Sequence, residues 1–385
     1  VADRTEPELR VAEYFAGIGL AKMGLEAAGL RVTWSNDISP KKEAMFRAHF
    51  GDQGLAHQFH LGDLGTLTQS QMPERVDLAW ASFPCTDLSL AGGRAGLHKG
   101  SSAAFWHFVK SLATMGGDRP AAVALENVTG FVSSRAGQDI RSAIRAMNGL
   151  GYSIDVVSID ARRFVPQSRP RLFLLGLRGE DVLDDPAQSE LRPAWLDPIF
   201  ADRSLRTHRN PLPSVPPILS SGLSDLAQRL GPDDARWWDD ARTSAFLDSL
   251  SPMQSARLDS LRSTPKRIYR SAYRRMRAGV PRWEIRSDDI AGCLRTARGG
   301  SSRQAIVETG LGVLRLRWMT PLEYAKLMGA GDYSIAGVSD YDAFSGFGDA
   351  VCVPVVKWLA ESLLRPALLA RRTDSLPEQP LEIAS

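Results

Sequence analysis

Over the first 180 residues, short apolar runs alternate with stretches whose apolar positions recur at helical spacing. Residues 9–15 read as a strand running into Ala16-Gly17-Ile18-Gly19, and 20–28 read as the helix that follows. Residues 31–36 form a second strand ending in Asp37, with Ser39-Pro40 opening the next helix. A short apolar unit holds Leu61-Gly62-Asp63-Leu64. Residues 76–81 read as a buried strand, closed by Ser82-Phe83-Pro84-Cys85 and followed by the glycine-rich segment 90–96. A helix at 105–112 leads to a strand at 121–125 that ends in Glu126-Asn127-Val128. A helix near 140–150 precedes strands at 153–159 and 171–177. This alternation predicts an α/β fold: a doubly wound, largely parallel sheet with helices on both faces. Ligands of such sheets lie beyond the carboxyl ends of the strands, where Gly17, Asp37, Asp63, Cys85 and Glu126 all fall.

Beyond about residue 180 the texture changes. Seven prolines between Pro186 and Pro217 interrupt any long periodicity, which predicts a loop-rich second domain over 181–309 after a catalytic and cofactor-binding domain over 1–180. A helix is expected around 224–230. The stretch 266–277 is basic and aromatic, and 294–304 combines cations, hydroxyls and glycines. Order returns over 310–385: Thr320, Pro321 and Glu323 are the cap, first residue and box acid of a helix, and 354–369 reads as an amphipathic helix.

Composition narrows the class. At 43% hydrophobic and 24% charged, the 385-residue chain has the balance of a soluble globular protein. Its three cysteines, Cys85, Cys293 and Cys352, are far apart and offer neither a disulfide framework nor metal-ligand spacing, which fits a reducing cytosolic setting. His57 and His60 lack cysteine partners and read as structural, so no metal site is expected. With no signal segment and no uncharged apolar run of about 18 residues, the chain is expected to be neither secreted nor membrane-spanning. The net charge is only +3, but Arg and Lys crowd between Arg257 and Arg317, which points to a polyanionic partner.

Single features leave alternatives open. A cysteine ending a strand under a glycine-rich loop suits a nucleophile, yet most free cysteines are small buried apolar residues. A strand, Gly-x-Gly turn and helix suit a nucleotide, yet many tight turns use glycine only for its backbone freedom. Asp37 suits ribose hydroxyls or a helix cap. A dinucleotide fingerprint would need a third glycine where Lys22 stands.

Taken in order, the motifs narrow these choices. Phe15-Ala16-Gly17-Ile18-Gly19, Pro84-Cys85, Glu126-Asn127-Val128 and Gln167-Ser168-Arg169-Pro170-Arg171 resemble blocks of the DNA (cytosine-5)-methyltransferases, of the prokaryotic restriction-modification or orphan type. The 320–328 helix and Gly348-Asp349-Ala350-Val351 resemble that family's last two blocks. The likeness spans about 10–180 and 290–365, with a variable insert between. It implies a Rossmann-like sheet that binds S-adenosylmethionine, plus a smaller target-recognition domain in the insert.

The resemblance also implies a chemistry. Carbon 5 of cytosine is a poor nucleophile until a thiolate adds to carbon 6; the activated ring then takes the methyl group, and loss of the carbon-5 proton releases the thiolate. Cys85 would be that thiolate. Glu126 would contact ring nitrogen 3 and the exocyclic amine, a role that favours a raised pKa. Arg171 would hold the carbonyl oxygen, and Arg169 would orient the cysteine loop or a phosphate. Phe15, Gly17, Ile18 and Gly19 would line the methionine and ribose, Asp37 would take the ribose hydroxyls, and Asp63 the adenine amine. Ile38, Leu64, Pro84, Asp349 and Val351 complete the implied cofactor pocket. The target base would be flipped out of duplex DNA, with the loop carrying Ser89 and Arg94 closing over it and Gln167 supporting that loop. Lys266, Arg267 and Arg270 would contact phosphates, and Arg295, Thr296, Arg298, Ser301 and Arg303 would read base edges.

Three positions depart from the family pattern: Thr86 follows Pro84-Cys85 where glutamine is usual, Leu20 replaces a second glycine, and Asp349 stands where asparagine is usual. The expected setting is a cytoplasmic, nucleoid-associated protein acting as a monomer on DNA, with a cognate restriction endonuclease acting separately if one exists. The rival readings are a tRNA cytosine-5 methyltransferase of the same family and a catalytically inactive DNA-binding homologue.

Overall fold

The structure, a computed structural model, describes residues 7–84, 97, 103–179, 184–185, 187–296 and 303–374. The first half builds the sheet. Its elements in chain order are β1 (Leu9–Tyr14), α1 (Leu20–Ala27), β2 (Leu30–Asp37), α2 (Pro40–Phe50), β3 (Gln58–Leu61), β4 (Leu78–Ala81), α3 (Ala104–Thr114), β5 (Ala122–Val128), α4 (Gln138–Gly149), β6 (Tyr152–Asp160) and β7 (Pro170–Arg178). The seven strands lie in the order β3-β2-β1-β4-β5-β7-β6. Strands β1 to β5 are parallel, whereas β7 runs antiparallel to both β5 and β6. The central strands are near-continuous apolar runs because both of their faces are covered. Val11, Trp80 and Ala124 belong to one core, and Tyr14, Ala81 and Leu125 to the other.

The proline-rich stretch after β7 stays with this sheet rather than opening a second domain. Leu191 joins one core, while Leu196, Ile199 and Leu205 join the other, around α5 (Asp197–Phe200). Residues 206–208 run along the edge strand β6: Ile154 donates to the Arg206 carbonyl and accepts from the His208 amide, both at 3.1 Å. That contact covers an edge which would otherwise present open hydrogen-bonding groups. The stretch after the expected boundary at 181 thus packs on the large sheet, and Leu223 and Ala227 beyond it still join that core. The helix expected around 224–230 is a single turn, α6 (Leu223–Leu226).

A second sheet follows α7 (Asp240–Asp248) and α8 (Pro252–Arg262). It contains β8 (Ile268–Arg277), β9 (Val280–Ile285), β10 (Ala305–Gly310) and β11 (Val313–Trp318), antiparallel in the order β11-β10-β8-β9. The expected limit at 309 thus falls inside the β10–β11 hairpin, whose turn residues Leu311 and Gly312 both have positive φ. One face of this sheet builds its own core around Phe246, Trp283 and Leu316, with Trp238 and Trp318 packed edge-on or tilted beside them. The other face contributes Tyr269 and Ile306 to the core of the large sheet.

The chain then returns as α9 (Pro321–Leu327), α10 (Asp340–Asp349), α11 (Val353–Leu359) and α12 (Arg365–Asp374), with a π turn at Ala360–Leu364 between the last two. The expected box at α9 is present: Thr320 Oγ1 accepts from the Glu323 amide at 3.3 Å, and Glu323 accepts from the Thr320 amide at 2.8 Å. Glu323 also forms a fully buried pair with Arg317 at 2.6 Å, tying β11 to α9. Residues 340–372 have the length and hydropathy of a spanning helix, but 61% of the most apolar window is buried inside the fold.

Candidate active site

Parallel pairing brings the ends of β1, β2, β4 and β5 to one edge of the sheet. Because β7 is antiparallel to β5, its first residues arrive at that same edge, and Arg171 pairs with Val128 in register. The motif around Arg171 is thereby placed beside Glu126.

Glu126 is buried, and Arg171 Nε lies 3.0 Å from its Oε1. Burial raises its pKa above the usual carboxylate value; Arg171, Arg169 and a hydrogen bond from Ser82 offset that only in part. Trp80 Nε1 donates to Ser82 Oγ at 3.0 Å, so Ser82 is held from behind. The next residue, Asn127, donates from Nδ2 to the Phe83 carbonyl at 3.2 Å and so braces the chain as it leaves β4. On the far side of the loop, the Leu97 amide donates to the buried Asp139 carboxylate at 3.2 Å. Cys85, Thr86, Ser89 and Arg94 lie between these two anchors, outside the described residues, as do Arg298 and Ser301.

Arg169 departs from expectation. Its guanidinium is buried and donates to the carbonyls of Leu294 at 2.9 Å, Gly348 at 3.2 Å and Ala350. It is a strut between Leu294 and the last block, which turns it away from a phosphate; the cysteine loop, its other expected partner, lies outside the described residues. The loop that Gln167 was expected to support lies outside the described residues. Gln167 itself is fully buried, donates to the Leu327 carbonyl at 2.7 Å and accepts from the Leu294 amide at 3.0 Å.

Cys293 carried no role in the sequence reading. Its Sγ lies 3.4 Å from Arg169 Nη1 and 3.7 Å from Arg171 Nη2. Burial pushes this thiol up, but the two guanidinium groups outweigh it and leave the pKa below the ordinary thiol value. The only sequence signal was that 293 stands next to Leu294 in a segment already suspected of facing the base.

At the turn after β1, Phe15, Gly17 and Gly19 all have positive φ, with Gly19 at 81° as the N-cap of α1. Asp37 shapes this turn: one carboxylate oxygen accepts from the Gly17 amide and the other from the Ser39 amide, each at 2.8 Å. The helix cap is Ser39, whose Oγ accepts from the Lys42 amide. Ile38 is 66% exposed, an apolar wall at a strand end. Asp63 accepts from the Gly65 amide at 2.8 Å and pairs with His107 Nδ1 at 3.2 Å. Ile18, Leu64 and Val351 are buried, and Tyr333 donates to the Ile18 carbonyl at 2.9 Å. Under the turn sits Glu13, which accepts from the Lys22 amide and the Ser35 hydroxyl; burial pushes its pKa up to about 8. Asp349 pairs with Lys42 at 2.9 Å and accepts a hydrogen bond from the Thr296 hydroxyl. His57 is stacked on Phe46 and bonded to Ser35, and burial drives its pKa to about 3, so it stays neutral in the core.

The basic residues separate by geometry. Lys266, Arg267 and Arg295 are exposed. Arg267 pairs with Glu308 and Arg270 with Asp289, each at 3.0 Å. Arg303 is packed over Phe344, 4.2 Å from the ring centroid, and over Trp318, so the structure places it in a seam rather than on an open face.

Comparison with known proteins agrees with this arrangement. The chain is 24% identical over 371 residues to the type II methyltransferase M.HpaII of Haemophilus parainfluenzae, covering 91% of this chain and 88% of that one. It is 22% identical to the type II methyltransferase M.Bsp6I of a Bacillus species, covering 94% and 100%. Among solved structures, the Entamoeba histolytica methyltransferase EhMeth superposes with a TM-score of 0.61 at 14% identity, covering 95% of this chain and 99% of that one, which speaks to the fold. The profile of the C-5 cytosine-specific DNA methylases matches residues 9–365, from β1 to the start of α12. That match spans both sheets and every element that meets at the Glu126 edge, and the chain belongs to the C-5 cytosine-specific DNA methylase family.

Proposed function

We propose that this protein methylates carbon 5 of cytosine in duplex DNA, using Cys85 as the nucleophile and S-adenosylmethionine as the donor. The observation that carries the reading is the buried Glu126–Arg171 pair, at 3.0 Å, beside the point where the chain leaves β4 for Cys85. A buried carboxyl with a raised pKa, held by one guanidinium, suits a group that must protonate nitrogen 3 while charge develops in the ring. Cys85 forms a bond to carbon 6, the electron pair moves through the ring to carbon 5, and Glu126 supplies the proton to nitrogen 3. Arg171 holds the ring carbonyl oxygen. After transfer, a base takes the carbon-5 proton, the freed pair rebuilds the carbon 5–carbon 6 double bond and expels the thiolate, and nitrogen 3 returns its proton to Glu126.

The residues at the cofactor face fit the donor. Exposed Ile38 offers an apolar wall to a ring, the Asp63 carboxylate lies close by, and the glycine turn allows close backbone approach. S-adenosylmethionine supplies an electrophilic methyl group there. The second sheet and the segment before β10 meet the DNA: exposed Lys266 and Arg267, just before β8, contact phosphates, and exposed Arg295 reads base edges; Arg298 and Ser301 belong to the same proposal.

The test supplies methyl-labelled S-adenosylmethionine with duplex DNA or with tRNA. Label recovered as 5-methylcytosine in DNA, absent with Cys85→Ala, is the expected result. Label in tRNA alone moves the substrate to RNA, and label in DNA with Cys85→Ala overturns the mechanism.

A further inference from the structure

Asp349 adds a carboxylate where the family usually carries a neutral amide, and the structure shows what accompanies it. Lys42 Nζ lies 2.9 Å from Asp349 Oδ2, and a Cβ built on Gly17 would be 4.0 Å from Lys42 Cδ. One lysine therefore pairs with the last block while its stem passes near the glycine turn.

The placement of this lysine is costly for the helix. Lys41 and Lys42 both stand in the first turn of α2, where the helix dipole favours acids over cations. Lys41 is occupied by Asp342 at 2.7 Å, which leaves Lys42 as the cation beside the turn. The pair is half in solvent, with side-chain exposures of 24% for Lys42 and 42% for Asp349. Ion pairs of that exposure contribute little to stability, so exchanging partners costs little.

The geometry points to Lys42 and Asp349 as a clamp for the zwitterionic amino-acid end of the methyl donor, with the ammonium of Lys42 on its carboxylate and the carboxylate of Asp349 on its ammonium. Without ligand the two side chains face each other, with Thr296 also donating to Asp349; with ligand, the Lys42–Asp349 contact gives way to the opposite charges on the donor. The extra carboxylate then recruits the usual donor rather than repelling it, because its charge is balanced by Lys42. This inference rests on the S-adenosylmethionine reading of the pocket.

Calorimetry on the full chain separates the two claims. S-adenosylhomocysteine carries the zwitterion, and 5′-methylthioadenosine shares the nucleoside but lacks it. Lys42→Met is expected to weaken S-adenosylhomocysteine by about 10- to 100-fold while leaving 5′-methylthioadenosine unchanged, and Lys42→Arg is expected to retain both. Asp349→Ala should show the same selectivity. Equal losses for both ligands, or no loss of S-adenosylhomocysteine with a lowered melting temperature, make the pair a structural latch and overturn the clamp. Failure of the native protein to bind either ligand overturns the cofactor reading itself, and the clamp with it.

Discussion

Glu126 is held between two opposing influences. Burial favours its protonated form, and Arg171 at 3.0 Å opposes that. Replacing Arg171 with Met should therefore raise the Glu126 pKa further while removing the donor to the ring oxygen, and kcat should fall by about 10²- to 10³-fold, as for loss of one donor to a developing oxyanion. A kcat within a few-fold of native would contradict the role. Cys293 reports on the same charges from the other side. Its alkylation by iodoacetamide, followed by peptide mass spectrometry against pH, should reach half its plateau below the ordinary thiol value of about 8.5. In Arg171→Met the half-point should rise, since the guanidinium that favours the thiolate is gone. An unshifted profile in the variant would show that Arg171 does not act on the thiol.

At the scale of elements, the last block and the 295–296 segment meet almost backbone to backbone. A Cβ on Gly348 would fall 2.4 Å from the Arg295 carbonyl carbon and 2.6 Å from the Thr296 nitrogen. Gly348→Ala should cost about 1–3 kcal/mol of stability by overpacking, measured as a lower urea midpoint. An unchanged midpoint would mean that the seam yields freely. The strand ends of the large sheet were legible in the sequence because apolar runs stop at Asp37, Pro84 and Glu126. The roles of Arg169 and Gln167 were not, since their partners at 294, 327, 348 and 350 are more than 120 residues away. Two local features near the expected domain limits were not legible: Gly310-Leu311-Gly312 is a hairpin turn, and the proline-rich stretch is fastened to an edge strand that no sequence periodicity announces.

At the scale of the whole molecule, the glycine turn rests on a buried acid. Glu13 has a folded-state pKa of about 8 against an ordinary 4.5, so the folded protein holds a proton that the unfolded chain releases. Stability should accordingly fall as pH rises from 4.5 to 8, by up to about 1.4 kcal/mol per pH unit from this group, and level off above. Glu13→Gln should flatten that decline in urea titrations, and a decline as steep as native would place its source elsewhere. The central claim concerns a residue at the heart of the same edge. Two thiols compete for it: Cys85, which follows the brace between Asn127 and Phe83, and Cys293, which contacts both arginines. Duplex DNA carrying 5-fluorocytosine decides between them, because fluorine cannot leave carbon 5 as a proton does and the sulfur–carbon bond persists after methyl transfer. Incubated with S-adenosylmethionine and digested, the protein should show the added nucleotide mass on the peptide containing Cys85. The same mass on the Cys293 peptide, or no adduct on a duplex that is methylated when it carries ordinary cytosine, would contradict the account.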